Sequence, residues 1–299
     1  MYVGVSVEPW KFGERKGQRI RTQDYDVYST VRDEAYNTRL AVTLQSARRE
    51  YQQLAGLPPR PATAPVEHLM HCYIFADRAQ FVEFTRIRFP GRDDLLTFNR
   101  GGYTVDDLFA SHYAGDGTIA TAAHEGFHQY LSRELRESLP PFLEEGLASM
   151  FEVISWNGRG EPTWDFARHP THAQTLAKAS EHDVLIPLLL LARLDAGMVM
   201  ENPQLTPYPL YYAQCWAFAR FMIEGESGRY RPALKQMFID AADGRLYDPT
   251  GANTRPVGTF RPSEAAAAVE RALGRPLSEI EPAYRAYIRQ IAGAVRRVE

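Results

Sequence analysis

His124-Glu125-Gly126-Phe127-His128 places two imidazoles four residues apart with a carboxylate between them. On a helix, residues i and i+4 lie one above the other on one face. Two ring nitrogens so placed reach one metal ion at about 2.0–2.1 Å. Glu125 lies one step round the helix, close enough to touch a water on that metal without ligating it. Glu145 follows seventeen positions after His128 and is a candidate third donor. Three protein ligands, one open position and one base suit hydrolysis at a zinc ion.

The elements around these residues are legible. Asp116-Gly117 is a turn signal, Thr118 a candidate N-cap, and residues 119–137 read as one helix stopped by Ser138-Leu139-Pro140-Pro141. His124 and His128 share a face with Ala120, Leu131 and Leu135, so they are expected to point inward. The plainer alternative is a pair of hydrogen-bonded core histidines. Gly126 costs that helix about 1 kcal/mol relative to Ala.

A second helix starts with Pro141 at N1 and runs to Glu152. Leu143, Leu147, Met150, Phe151 and Ile154 form its apolar stripe, with Glu145, Ser149 and Glu152 opposite. Periodicity permits two readings of that polar side: a solvated acidic face, or a face turned toward a cleft. The tight Pro-Pro connection makes an antiparallel helix pair natural.

His124–His128, followed by Leu139-Pro140-Pro141-Phe142-Leu143-Glu144-Glu145-Gly146-Leu147-Ala148, resembles the gluzincins of the peptidase MA clan. Their pattern is H-E-x-x-H and then W-L-x-E-G-x-A. The aminopeptidase N-like enzymes and many bacterial peptidase MA-like proteins carry it. The resemblance implies that one zinc ion is held by His124, His128 and Glu145, that Glu125 is the general base, and that Glu152 supports a ligand from behind. The segment Pro209–Phe221 is similar to a downstream helix of these proteins. That similarity implies Tyr212, with Tyr211 as fallback, as hydrogen-bond donor to the oxyanion. Residues 272–287 look like the terminal helices of the bacterial members. The likeness spans about residues 65–295, with only the zinc helix and Glu145-Gly146 specific. Phe142 stands where Trp is usual and Met150 where Tyr is usual. The G-x-M-E-N segment of the aminopeptidases is missing, so the likeness does not extend to exopeptidase specificity.

The implied fold is α+β: a thermolysin-like zincin with a mixed β-sheet N-terminal lobe, residues 1–115, and a mainly helical C-terminal lobe, residues 116–299. The active site is expected between the lobes. In the N-terminal part, residues 26–31 and 68–75 read as strands, 32–55 and 78–87 as helices, and 98–103 as turn. Residues 108–113 are expected to form the edge strand. Such an edge lines the cleft and pairs with an extended peptide, which makes His112 a candidate substrate contact. His68 and His71 fall on opposite faces of a strand and make a poor metal pair. His169 and His172 flank Pro170 and read as a surface loop.

Composition is consistent with this reading. The chain's 299 residues suffice for one large domain or two lobes, and its apolar and charged shares are those of a soluble globular protein. A net charge of -3 argues against nucleic-acid and anionic-membrane partners. The apolar run 184–194 is too short to span a bilayer and reads as a buried helix. Residues 1–10 do not resemble a secretory signal, though many proteins of this kind are exported. Cys72 and Cys215 are expected to be buried thiols. The expected function is a zinc metallopeptidase acting on peptide or protein substrates. The rivals are a non-catalytic zinc-binding or protein-binding module on the same scaffold, and a hydrolase of non-peptide amides or esters.

Overall fold

The computed structural model describes residues 5–58, 69–97, 102–250 and 261–295. Two units emerge: residues 1–133 with 154–164, and residues 134–153 with 165–299. The first contains β1 (Ser6–Phe12), β2 (Arg15–Arg21), β3 (Tyr25–Ser29), α1 (Glu34–Ala55), β4 (Met70–Phe75), α2 (Arg78–Arg88), α3 (Asp94–Thr97), β5 (Gly102–Val105), β6 (Leu108–His112) and most of α4 (Gly117–Glu134). The chain then forms α5 (Pro141–Ser149) of the second unit. It returns to the first with the hairpin β7 (Ile154–Trp156) and β8 (Pro162–Trp164).

Six strands form one mixed sheet in the order β1-β2-β3-β4-β6-β5. β3, β4 and β6 are mutually parallel, and the remaining pairs are antiparallel. Strand alternation sorts the two faces. Cys72 and Ile74 of β4 join Val27, Phe109, Leu40 and Leu44 in one core; Phe75 joins Phe81, Phe84, Leu108 and Ala110 in the other. α1 therefore covers one face and α2 the other.

α4 belongs with the sheet, so the division falls at residue 133 and not at the expected 115. The reason is packing. Ile119 and Ala122 enter the same core as Val27 and Cys72. The Gln129 amide donates to the carbonyls of His71 (2.9 Å) and Asp107 (2.7 Å). Thr118 is not the N-cap but lies in the first turn, where its hydroxyl accepts the Ala114 N–H. The expected edge strand is also corrected. β6 lies between β4 and β5, and among the described residues β5 is the edge on that side, with β1 at the other. Asp106, with φ of 53°, turns the chain so that Thr104 faces Phe109 across a short hairpin. A strand reading Leu-Phe-Ala-Ser, buried on both faces, suits an interior position. His68 and residues 98–101, part of the expected turn, lie outside the described residues.

The second unit is helical. After α5 it contains α6 (Pro170–Glu181), α7 (Leu188–Leu191), α8 (Ala196–Glu201), α9 (Tyr208–Gly228), α10 (Arg231–Asp243), α11 (Pro262–Leu273) and α12 (Leu277–Val295). The helix expected to reach residue 137 stops at Glu134. Beyond it the N–H groups of Arg136 and Glu137 both donate to the Ala241 carbonyl. Glu137 is fully buried and accepts the Leu246 N–H at 2.7 Å. The run 184–194 is not the expected buried helix: only the turn α7 is helical, and Val184 and Leu190 are exposed. Pro187 removes a helical donor. The buried Gln214 side chain instead serves both the N–H and the carbonyl of Ile186, at 2.7 and 3.0 Å. Cys72 and Cys215 are buried free thiols. Among the described residues no helix is long and apolar enough to cross a membrane.

Candidate functional site

In the first unit α4 carries His124, Glu125 and His128. The Nε2 atoms of the two histidines are 3.2 Å apart. Two imidazoles on one tetrahedral zinc, each at about 2.0–2.1 Å, place their nitrogens about 3.3–3.4 Å from one another. The pair therefore fits a shared metal. The same separation also suits an N–H···N hydrogen bond between neutral rings, so the distance alone leaves both chemistries open. His124 is buried, while His128 and Glu125 are partly accessible.

Glu125 is held from the sheet. The Thr104 hydroxyl donates to its Oε2 at 2.7 Å. Thr104 lies on the edge strand β5, opposite Phe109, on the sheet face that α4 covers. Nothing in the sequence marked Thr104, because its position depends on a hairpin register that local pattern does not specify. Gly126 explains how close α4 comes to its neighbours. A Cβ there would lie 2.9 Å from the Tyr25 hydroxyl and 3.0 Å from the Tyr51 hydroxyl. Tyr51 in turn donates to the Ala123 carbonyl. A residue that weakens the helix locally is thus what the packing requires.

His112 is not on the edge strand. Its position, two residues beyond Ala110 on β6, puts it on the α2 face, opposite the one covered by α4, with its ring 5.8 Å from Phe81. Its Nδ1 is buried without a hydrogen-bond partner. Burial, aided by the nearby Arg78 charge, lowers its pKa from the usual value. The expected substrate contact is therefore corrected by strand alternation.

Within the second unit α5 presents Glu145, whose Oε2 is buried. Ser149, on the same side, is fully buried, so the polar face of α5 is not a solvated one. α5 packs on α9 at Gly146, where a Cβ would stand 2.0 Å from the Cys215 carbonyl oxygen. The Cys215 thiol is raised well above its ordinary pKa by burial, and the Glu145 charge adds to the effect. Tyr211 is raised by burial first, then by Cys215 and Glu145. Its hydroxyl points to the Leu194 carbonyl at 3.4 Å. Tyr212 is nearly buried, its ring 4.7 Å from Tyr208 and 5.2 Å from Tyr211.

Glu152 directs its Oε2 to His169 Nε2 at 3.1 Å. His169 is the N-cap of α6, its Nδ1 accepting the His172 N–H at 3.3 Å. With Nδ1 an acceptor, the ring hydrogen resides on Nε2 and is donated to Glu152. The His172 ring stacks on His169 at 3.6 Å with planes 14° apart. Both histidines are buried, so the surface-loop reading is corrected. Pro170 at N1 carried the signal for a helix start. The donor atoms of Glu152, His169 and His172 lie within 4.8 Å of one another. They do not suit a metal, because an imidazole binds in its own ring plane and two stacked planes share no point at about 2.0–2.1 Å from both nitrogens.

No protein-family model matches this chain, and no curated protein matches it.

Proposed function

We propose that the chain is a zinc-dependent hydrolase, a metallopeptidase of the gluzincin kind on a thermolysin-like zincin scaffold. One observation carries the reading: two imidazole nitrogens 3.2 Å apart on one helix, with the carboxylate between them held by the edge strand. A structural zinc takes four protein ligands and has no use for such a carboxylate. The mixed sheet, its antiparallel edge strand and the helix that follows the β5–β6 hairpin are consistent with the proposed scaffold.

Nε2 of His124 and of His128 would hold the ion, with a carboxylate oxygen of Glu145 as third donor. When bound, zinc supplies an electrophile for the scissile carbonyl and lowers the pKa of a water ligand toward about 7. Glu125 acts as the base. Thr104 donates to Oε2, which leaves Oε1 to take the proton from the attacking water and to deliver it to the leaving amine. The Tyr212 hydroxyl donates to the oxyanion; Tyr211 is less suited because its hydroxyl is directed at Leu194. Glu152 orients His169 at the start of α6.

Metal analysis combined with a peptide-library digest tests this reading. The expected result is one zinc per chain and cleavage abolished by a chelator and restored by zinc. A zinc-loaded but inert protein would favour the non-catalytic scaffold, and a metal-free protein the hydrogen-bonded histidine pair. Thr104→Val should lower kcat/KM by roughly 10- to 150-fold, because a hydrogen bond to a charged group is worth about 1.5–3 kcal/mol. Thr104→Ser should stay near wild type. Equal rates for both variants would remove Thr104 from the machinery.

A further inference from the structure

A groove of about 690 Å³ opens at the carboxyl ends of the parallel strands in the first unit. Thr30 and Val31 follow β3, Ala76 follows β4, and Tyr113 follows β6; the tip of the β1–β2 hairpin brings Arg15 and Lys16 to the same rim. Ligands of open α/β sheets bind outside the carboxyl ends of the strands. The volume lies within the range of small-molecule sites, about 300–1,000 Å³.

The polar groups of the floor are already satisfied. Thr30 Oγ1 donates to Gln80 Oε1 at 2.7 Å and accepts the Ala76 N–H at 2.9 Å. Gln80 Nε2 donates to Asp77 Oδ2 at 2.6 Å. Asp33 and Asp77 cap α1 and α2, so the helix N-termini there are occupied by carboxylates. Arg15 is tied to Glu83 at 2.9 Å. Lys16 and Arg32 make no ion pair among the described residues, and both are exposed at the rim. With Arg15 paired to Glu83, Lys16 and Arg32 are the two cations left to the groove, against the carboxylate of Glu14.

We propose that this groove binds a small phosphate ester, its dianionic group held between Lys16 and Arg32 and its organic body lying against Val31, Ala76 and the Tyr113 ring. The net positive lining matches a dianion better than a single carboxylate. The volume exceeds what a bare phosphate fills. This site is independent of the proposed hydrolytic centre.

The test is an amide chemical-shift titration of the full chain at constant ionic strength. The probes are inorganic phosphate, glycerol 3-phosphate and acetate. Saturable shifts at Lys16, Val31 and Tyr113 are expected with both phosphates, tighter with the ester, and none with acetate. A Lys16→Glu/Arg32→Glu variant should weaken binding by more than about tenfold. Its melting temperature should be unchanged, because both side chains are exposed. Shifts that fail to saturate, or that survive in the double variant, would overturn the site. Equal responses to acetate would overturn the phosphate assignment, and equal affinity for phosphate and its ester would overturn the organic body.

Discussion

Replacing Glu125 with Gln should lower hydrolytic turnover by about 10²–10⁴-fold, the contribution of a positioned general base. Zinc content should not change. Gln keeps the shape of Glu and an oxygen that accepts from Thr104, so the side chain stays where Thr104 holds it at 2.7 Å. What it loses is basicity: an amide oxygen does not take a proton from water near neutral pH. Glu125 follows His124 directly and precedes His128 by three residues, and neither histidine is altered, so the variant leaves the donor pair, 3.2 Å apart, intact. Turnover at the wild-type rate would show that the base is elsewhere. Loss of zinc together with activity would make Glu125 a ligand. Both measurements are made on the same preparation by metal analysis and initial rates.

Gly146→Ala should destabilise the protein by about 3 kcal/mol, at the upper end of ordinary overpacking. The sign is informative. In an unobstructed helix interior the same change stabilises by about 0.8–1.0 kcal/mol. Here the new Cβ would lie 2.0 Å from the Cys215 carbonyl oxygen and 3.1 Å from the Ala219 Cβ. Backbone cannot rotate away as a side chain can, so α5 must move off α9, and Glu145 moves with it. A urea titration reads the effect as a lower midpoint with an unchanged slope. A raised midpoint would mean that α5 and α9 do not cross at this glycine.

Gly146 also shows how far the sequence can be read. Its neighbour Glu145 looked like part of a polar face with two readings, and periodicity had no means of choosing. Periodicity reports which residues share a side of a helix and not what that side meets. That Ser149 and Glu145 Oε2 are buried is a tertiary fact, which spacing along one helix does not carry. Gly126 is a parallel case. A helix-weakening residue in mid-helix makes sense only once Tyr25 and Tyr51 arrive from β3 and α1.

Strand position was the least legible feature. Residues 108–113 carry a strand pattern, but an interior strand and an edge strand differ by hydrogen bonds to partners distant in sequence. Of the four residues that form the edge strand beside β6, Gly102–Val105, the first two fall within the segment 98–103 that reads as turn. The same strand order leaves His112 on the α2 face, away from α4, and brings Thr104 to Glu125.

The sequence by itself determined the elements whose signals are local. These are the helix carrying His124, Glu125 and His128, the helix begun by Pro141, and the long helix ending at Gly56. Their spacing, caps and prolines act within a few residues, so no distant partner is needed to read them. Only the tertiary structure decided which strand is the edge, which hydroxyl holds Glu125, why two glycines interrupt good helices, and that His169 and His172 are buried at a helix start. Each of these depends on contacts between segments far apart in the chain, where register and close approach outweigh local preference.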